Sequence, residues 1–166
     1  MTVVSDTSPI SYLVLIGREE VIPELYGDVL VPKAVYRELV HPRGPKVVRE
    51  RISDSPAWMN VEPLGSEDEG PRSPKEEQGD LQDLDPGERK AILLAVGKSK
   101  ALLLIDERAG RAVARKRGVK VTGTIGVLGA AAQKGLIDPA RATKDLRETT
   151  FRASADLYRW LLDKGE

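Results

Sequence analysis

Cysteine is absent from the 166-residue chain, which excludes disulfides, thiolate catalysis and metal centres held by sulfur. Histidine occurs once, at His41, so no site built on several imidazoles can form. Aromatic residues make up only 4%, and the core must therefore be assembled from Leu, Val, Ile and Ala. No apolar stretch reaches the roughly 20 residues of a membrane-spanning helix. The N-terminus lacks a basic region followed by an apolar run, so no secretory signal is read there. These last two absences set the expectation of a soluble cytoplasmic protein with no membrane partner. No internal repeat is present.

Hydrophobic residues amount to 40% and charged residues to 31%, the balance of a folded globular chain. The length suits a single domain over residues 1–166 with a proper core. A formal net charge of zero conceals an uneven distribution. Between Glu62 and Asp85 there are nine acids and two bases, a local net of −7, which leaves the rest of the chain at +7. Residues 53–84 are polar and punctuated by Pro56, Pro63, Pro71 and Pro74. They read as an acidic, flexible insertion, or as an internal mimic of nucleic acid lying over a basic body. A basic body is compatible with a polyanionic substrate.

Strand and helix signals alternate along the chain. Strands are expected at residues 2–6, 29–31, 58–61, 101–105 and 119–122. Helices are expected at 10–16, 19–26, 32–40, 46–52, 85–98, 107–117, 124–134, 139–147 and 155–163. Gly118 and Gly135 stand where helix stops are expected. The continuous apolar run at 101–105 suits a parallel strand buried on both faces. The alternation indicates an α/β sandwich around a parallel sheet.

Two of these strands end in a carboxylate. Asp6 follows Val3-Val4-Ser5, and Asp106 follows Leu102-Leu103-Leu104-Ile105. An unpaired charge at the mouth of a buried strand is costly. Either aspartate alone could start a turn or cap the next helix. Ligand sites of open parallel sheets lie beyond the carboxyl ends of the strands, so a pair converges if the strands are neighbours. Glu38 falls on the stripe of Val31, Ala34, Val35 and Leu39, facing the protein or the edge of a cleft; a surface ion pair is the simpler alternative. Glu88 aligns with Ala91, Ile92 and Ala95, yet Asp85 to Glu88 also has the spacing of a capping box. Both readings of Glu88 stand. Without Cys or multiple His, an ion shared by these acids would be hard and oxygen-liganded, Mg²⁺ or Mn²⁺ rather than zinc.

Taken together, Asp-Thr-Ser-Pro at Asp6, Val-Pro-x-Ala-Val-x-x-Glu-Leu to Leu39, Gly-Glu-x-x-Ala-Ile-x-Leu-Ala from Gly87, Leu-Leu-Ile-Asp-Glu to Glu107 and Gly-Thr-Ile-Gly-Val-Leu from Gly123 resemble the motifs of the PIN-domain nucleases. The likeness runs in order from Val3 to about Leu162, and is greatest to a toxin-like branch with an Asp-Thr-Ser-Pro first motif. It implies a three-layer α/β/α sandwich on a parallel sheet of four or five strands. It also implies a divalent-metal-dependent endoribonuclease with Asp6, Glu38, Glu88 and Asp106 as its catalytic, metal-binding acids. On this resemblance Glu88 is a ligand rather than only a cap. A hydroxyl residue common two positions before the fourth acid is replaced by Leu104, leaving Thr7, Ser8 and Thr124 as substitutes that could also contact substrate.

The implied partners are an RNA substrate, a small antitoxin protein and a second copy of the chain; the helix with Leu157, Trp160 and Leu161 could supply an apolar contact, although its packing on its own core is the simpler reading. An RNA-processing nuclease without antitoxin and a non-catalytic binding scaffold are the alternatives. A strand-end aspartate phosphatase is disfavoured, because Asp6-Thr7-Ser8 lacks the second Asp of that chemistry. Arg108, Arg111 and Arg115 make a basic stripe just past Asp106. It reads as a solvated helix face or, functionally, as a phosphate contact. Trp58 and Trp160 could stack on bases, but core packing is the stronger expectation for each, and His41 is expected to sit exposed at a helix end.

Overall fold

The computed structural model describes residues 1–62 and 79–164. Among the described residues, five short strands, β1 (Thr2–Ser5), β2 (Val29–Val31), β3 (Met59–Val61), β4 (Ala101–Leu104) and β5 (Lys120–Thr122), form one parallel sheet in the order β3-β2-β1-β4-β5. The α-helices described around it are α1 (Thr7–Leu15), α2 (Val21–Tyr26), α3 (Lys33–Leu39), α4 (Lys46–Ser53), α5 (Pro86–Val96), α6 (Arg108–Lys116), α7 (Thr124–Gln133), α8 (Pro139–Arg147) and α9 (Ala155–Asp163). A 3₁₀ turn at Gly79–Leu81 precedes α5 and had no sequence signal. This is the expected α/β/α sandwich. Residues 63–78 of the acidic stretch lie outside the described residues.

The layers follow from the period of two along each strand. Val3, Val29, Val31 and Leu104 point into one core, built with α1–α4 and α7–α9. Val4, Leu103 and Ile105 point into the other, with Leu81, Leu84 and the apolar faces of α5 and α6. An uninterrupted apolar run such as Leu102–Ile105 is therefore what a central strand of a doubly covered sheet requires. Trp58 is buried in the first core, as expected. Trp160 is not: it is 41% exposed. The inward positions of α9 are Tyr158 and Leu161, and Trp160 lies off that face at 3.6 residues per turn.

The order in which strands are added reverses at β1. Its neighbours are β2 on one side and β4 on the other, with Ser5 paired to Leu104. The carboxyl ends of β1 and β4 thus open side by side at the point where the strand order reverses, the usual place for a ligand crevice. Gly118 and Gly135 stop α6 and α7 with φ of 79° and 73°, the left-handed geometry in which glycine carries no Cβ penalty. Glu19 is buried and held by an ion pair to Arg51, which ties the loop before α2 to α4.

Leu103 is fully buried in the second core. Leu103→Ala is expected to lower unfolding stability by about 2–5 kcal/mol, measured by chemical denaturation; a loss below about 1 kcal/mol would contradict the two-core packing.

Candidate active site

Asp6 follows the last residue of β1 and Asp106 lies two residues past the end of β4. Because these strands are neighbours in register, both aspartates reach the same carboxyl edge of the sheet. Asp6 occupies the N-cap position of α1 but makes no capping hydrogen bond. It is 3% exposed, and its Oδ1 is buried without a hydrogen-bond partner. A helix cap therefore does not account for it.

Asp106 is better held. Its Oδ1 accepts the Thr124 backbone N–H at 2.7 Å and its Oδ2 accepts the Thr124 hydroxyl at 2.8 Å. Each oxygen keeps a further lone pair. Gly123 makes this approach possible, since a Cβ there would stand 2.7 Å from Asp106 Oδ1.

The two glutamates come from helices flanking the edge. Glu38 is exposed at the end of α3, at the rim rather than in the core. Its Oε2 accepts the Thr7 hydroxyl at 2.6 Å, and its carboxylate lies against Gly87, where a Cβ would stand 2.5 Å from Oε1. Glu88 is buried on the inward face of α5 beside Ala91 and Ile92. Its backbone N–H donates to Asp85 Oδ1 at 2.8 Å, so the cap read from the sequence is formed as well. The cap is made by the Glu88 backbone, and the Glu88 carboxyl is itself hydrogen-bonded to Asp85.

The acids act on one another. Burial, followed by the negative charges of Asp85, Glu38 and Asp106, raises the Asp6 carboxyl to about 7 against the opposing effect of the Thr7 amide. Glu88 rises to about 8 through burial, its hydrogen bond with Asp85, and the charges of Asp85, Asp6 and Glu107. Burial also raises Asp106, against the Thr124 hydrogen bonds and the Arg111 guanidinium. Asp85 and Glu107 thus belong to the acidic group electrostatically. Sequence reading treated Asp85 as a cap only and assigned Glu107 no role.

Among the described residues, no group of three or more Asp, Glu or His side chains stands close enough to enclose a metal ion. The chemistry of the donors nevertheless suits a hard divalent cation. All are carboxylates, and the unpartnered Oδ1 of Asp6 is the kind of orphan that a cation satisfies. Of the other sequence candidates, Ser8, Arg108 and Arg111 line the groove beside Asp106. Arg108 and Arg115 are exposed, whereas Arg111 is half-buried. His41 is exposed just beyond α3.

A family model described as a PIN domain matches residues 2–166. No curated protein and no solved structure matches the chain.

The raised carboxyls fix the sign of a pH effect. The folded protein holds protons on Asp6 and Glu88 that the unfolded chain releases near its ordinary carboxylate values of 3.8 and 4.5. These groups therefore subtract stability as pH rises from about 4, and the full penalty is present above about 8. With chelator present, the Asp6→Asn/Glu88→Gln variant is expected to gain melting temperature over wild type at pH 8 but not at pH 4. An equal difference at both pH values would contradict the raised carboxyls.

Proposed function

The chain belongs to the PIN-domain family, and on that premise we propose that it is a Mg²⁺- or Mn²⁺-dependent endoribonuclease. PIN domains are generally metal-dependent nucleases. The single observation that carries the reading to this chain is the pair of strand-end aspartates, buried Asp6 and half-buried Asp106, set side by side where the strand order reverses. The basic balance of the chain outside residues 62–85 supports a polyanionic substrate.

In this reading Asp6 and Asp106 are the principal ligands, and Glu88 and Glu38 complete the donor set or orient the attacking water. When bound, the ion supplies charge neutralisation on the phosphodiester and activation of that water. Thr124 fixes the orientation of Asp106 through two hydrogen bonds. Thr7 does the same for Glu38 through one. Gly87 and Gly123 leave room for the carboxylates they face. Arg111 places positive charge beside Asp106, where a phosphate would arrive. The specific form of the proposal is the toxin of a toxin–antitoxin pair, which adds a small antitoxin protein and a homodimer; an adjacent small reading frame upstream would separate it from an RNA-turnover nuclease.

Total cellular RNA incubated with Mg²⁺ or Mn²⁺ should be cut by wild type into fragments whose ends can be mapped. Asp6→Asn should lose at least the roughly 10–100-fold that even outer partners of a metal site contribute. Equal cleavage by wild type and Asp6→Asn would show that the acids are not the catalytic centre.

A further inference from the structure

The acidic edge opens into a groove that metal-assisted hydrolysis alone does not require. It has a volume of about 1130 Å³ and is lined by Asp106, Arg111, Gly123, Phe151, Arg152 and Trp160, among others. That volume exceeds the roughly 300–1,000 Å³ of ordinary small-molecule pockets. The groove reaches from the carboxyl end of the sheet to α9.

Trp160 is the unusual member. The chain has two tryptophans, and this one remains 41% exposed while Trp58 is 8% exposed. Its indole is nevertheless well supported. One ring edge rests on Gly129, where a Cβ would come within 2.5 Å, and the Lys164 ammonium lies 4.6 Å from the ring centroid. A large apolar ring held in place yet left in water is a preformed contact surface.

The charges around it favour a polyanion. Arg108, Arg111 and Arg152 line the groove, and Arg111 Nε is buried with no hydrogen-bond partner among the described residues. Of the acids lining it, Asp106 and Glu107 belong to the catalytic edge, and Asp156 is offset by Arg159 at 3.8 Å. Protein–protein interfaces are depleted of charge at their centres. Cations interleaved with aromatic rings are instead the pattern of single-stranded nucleic-acid grooves, where bases stack and phosphates meet arginine.

We propose that this groove seats nucleotides flanking the cleaved bond, with Trp160 as a base-stacking platform and Arg111 and Arg152 as phosphate contacts. The proposal rests on the nuclease reading and adds a substrate-contact residue specific to this chain. A stacked base must be unpaired, so Trp160 makes the enzyme select single-stranded segments with little dependence on base identity.

The test uses a short single-stranded RNA in the Asp6→Asn background, read by tryptophan fluorescence, with buried Trp58 as the internal reference. RNA should quench the exposed indole. Trp160→Ala should remove the quenching and weaken binding about tenfold, the order of one base–aromatic stack. Trp160→Phe should restore most of the affinity. A sugar-phosphate oligomer of equal length without bases should bind Trp160→Ala and its parent alike. Unchanged RNA affinity in Trp160→Ala overturns the groove assignment, as does an affinity loss equal for the baseless oligomer. So does an affinity loss seen only where sedimentation shows that a dimer has dissociated. RNA cleavage by wild type judges the nuclease reading separately: cleavage with a silent Trp160 rejects the groove alone, and Trp160-dependent binding without cleavage rejects the nuclease alone.

Discussion

The cost of keeping carboxylates from water, with repulsion among acids as a smaller second effect, governs this edge of the molecule. Asp6, Glu88 and Asp106 are drawn toward the carboxyl edge of one sheet, and all three are pushed above the ordinary carboxylate range, chiefly by burial. Such a group would be unstable in a poorly packed scaffold, because each buried charge loses hydration worth several kcal/mol. The surroundings are arranged to limit that loss without removing it. Thr124 donates two hydrogen bonds to Asp106, Arg111 adds positive charge, and Asp6 keeps an oxygen with no partner.

The rest of the architecture keeps this edge rigid. Each central strand sends alternate side chains into two separate cores, so β1 and β4 are fixed from both faces. Their pairing from Thr2–Ala101 to Ser5–Leu104 sets the relative height of Asp6 and Asp106. A slip of one residue would reverse the faces of Leu103 and Leu104 and separate the aspartates, so packing and site geometry depend on the same register. Helices α3 and α5 then bring Glu38 and Glu88 to the edge, with Gly87 allowing the Glu38 carboxylate to lie against the start of α5.

Much of this was legible in the chain itself because periodicity and strand-end placement are local. The apolar run before Asp106, the Asp-Thr-Ser-Pro turn at Asp6 and the glycine stops of α6 and α7 all appear in short windows. Glu88 illustrates the limit. Its spacing from Asp85 correctly indicated a cap, yet the burial and acidic surroundings that raise its carboxyl depend on where the side chain goes. Asp85 is near Glu88 and Glu107 is beside Asp106 in the chain, but the effect of Asp85 on Asp6 and of Glu107 on Glu88 arises through tertiary proximity, which no local signal marks. Gly123 could have been noticed as a small residue before Thr124, but its purpose is visible only once Asp106 lies beside it. Trp160 was misread because a lone tryptophan near a helix end suggests burial, whereas the helical phase puts Tyr158 and Leu161 inward.

The central claim is that the strand-end aspartates share a divalent cation. Anomalous diffraction from crystals soaked in Mn²⁺ addresses it directly, because manganese is located without reference to activity. The account predicts a peak at the edge where Asp6 and Asp106 lie, lost in Asp6→Asn crystals soaked identically. A peak confined to other acids, or one between these residues that survives Asp6→Asn unchanged, would contradict it.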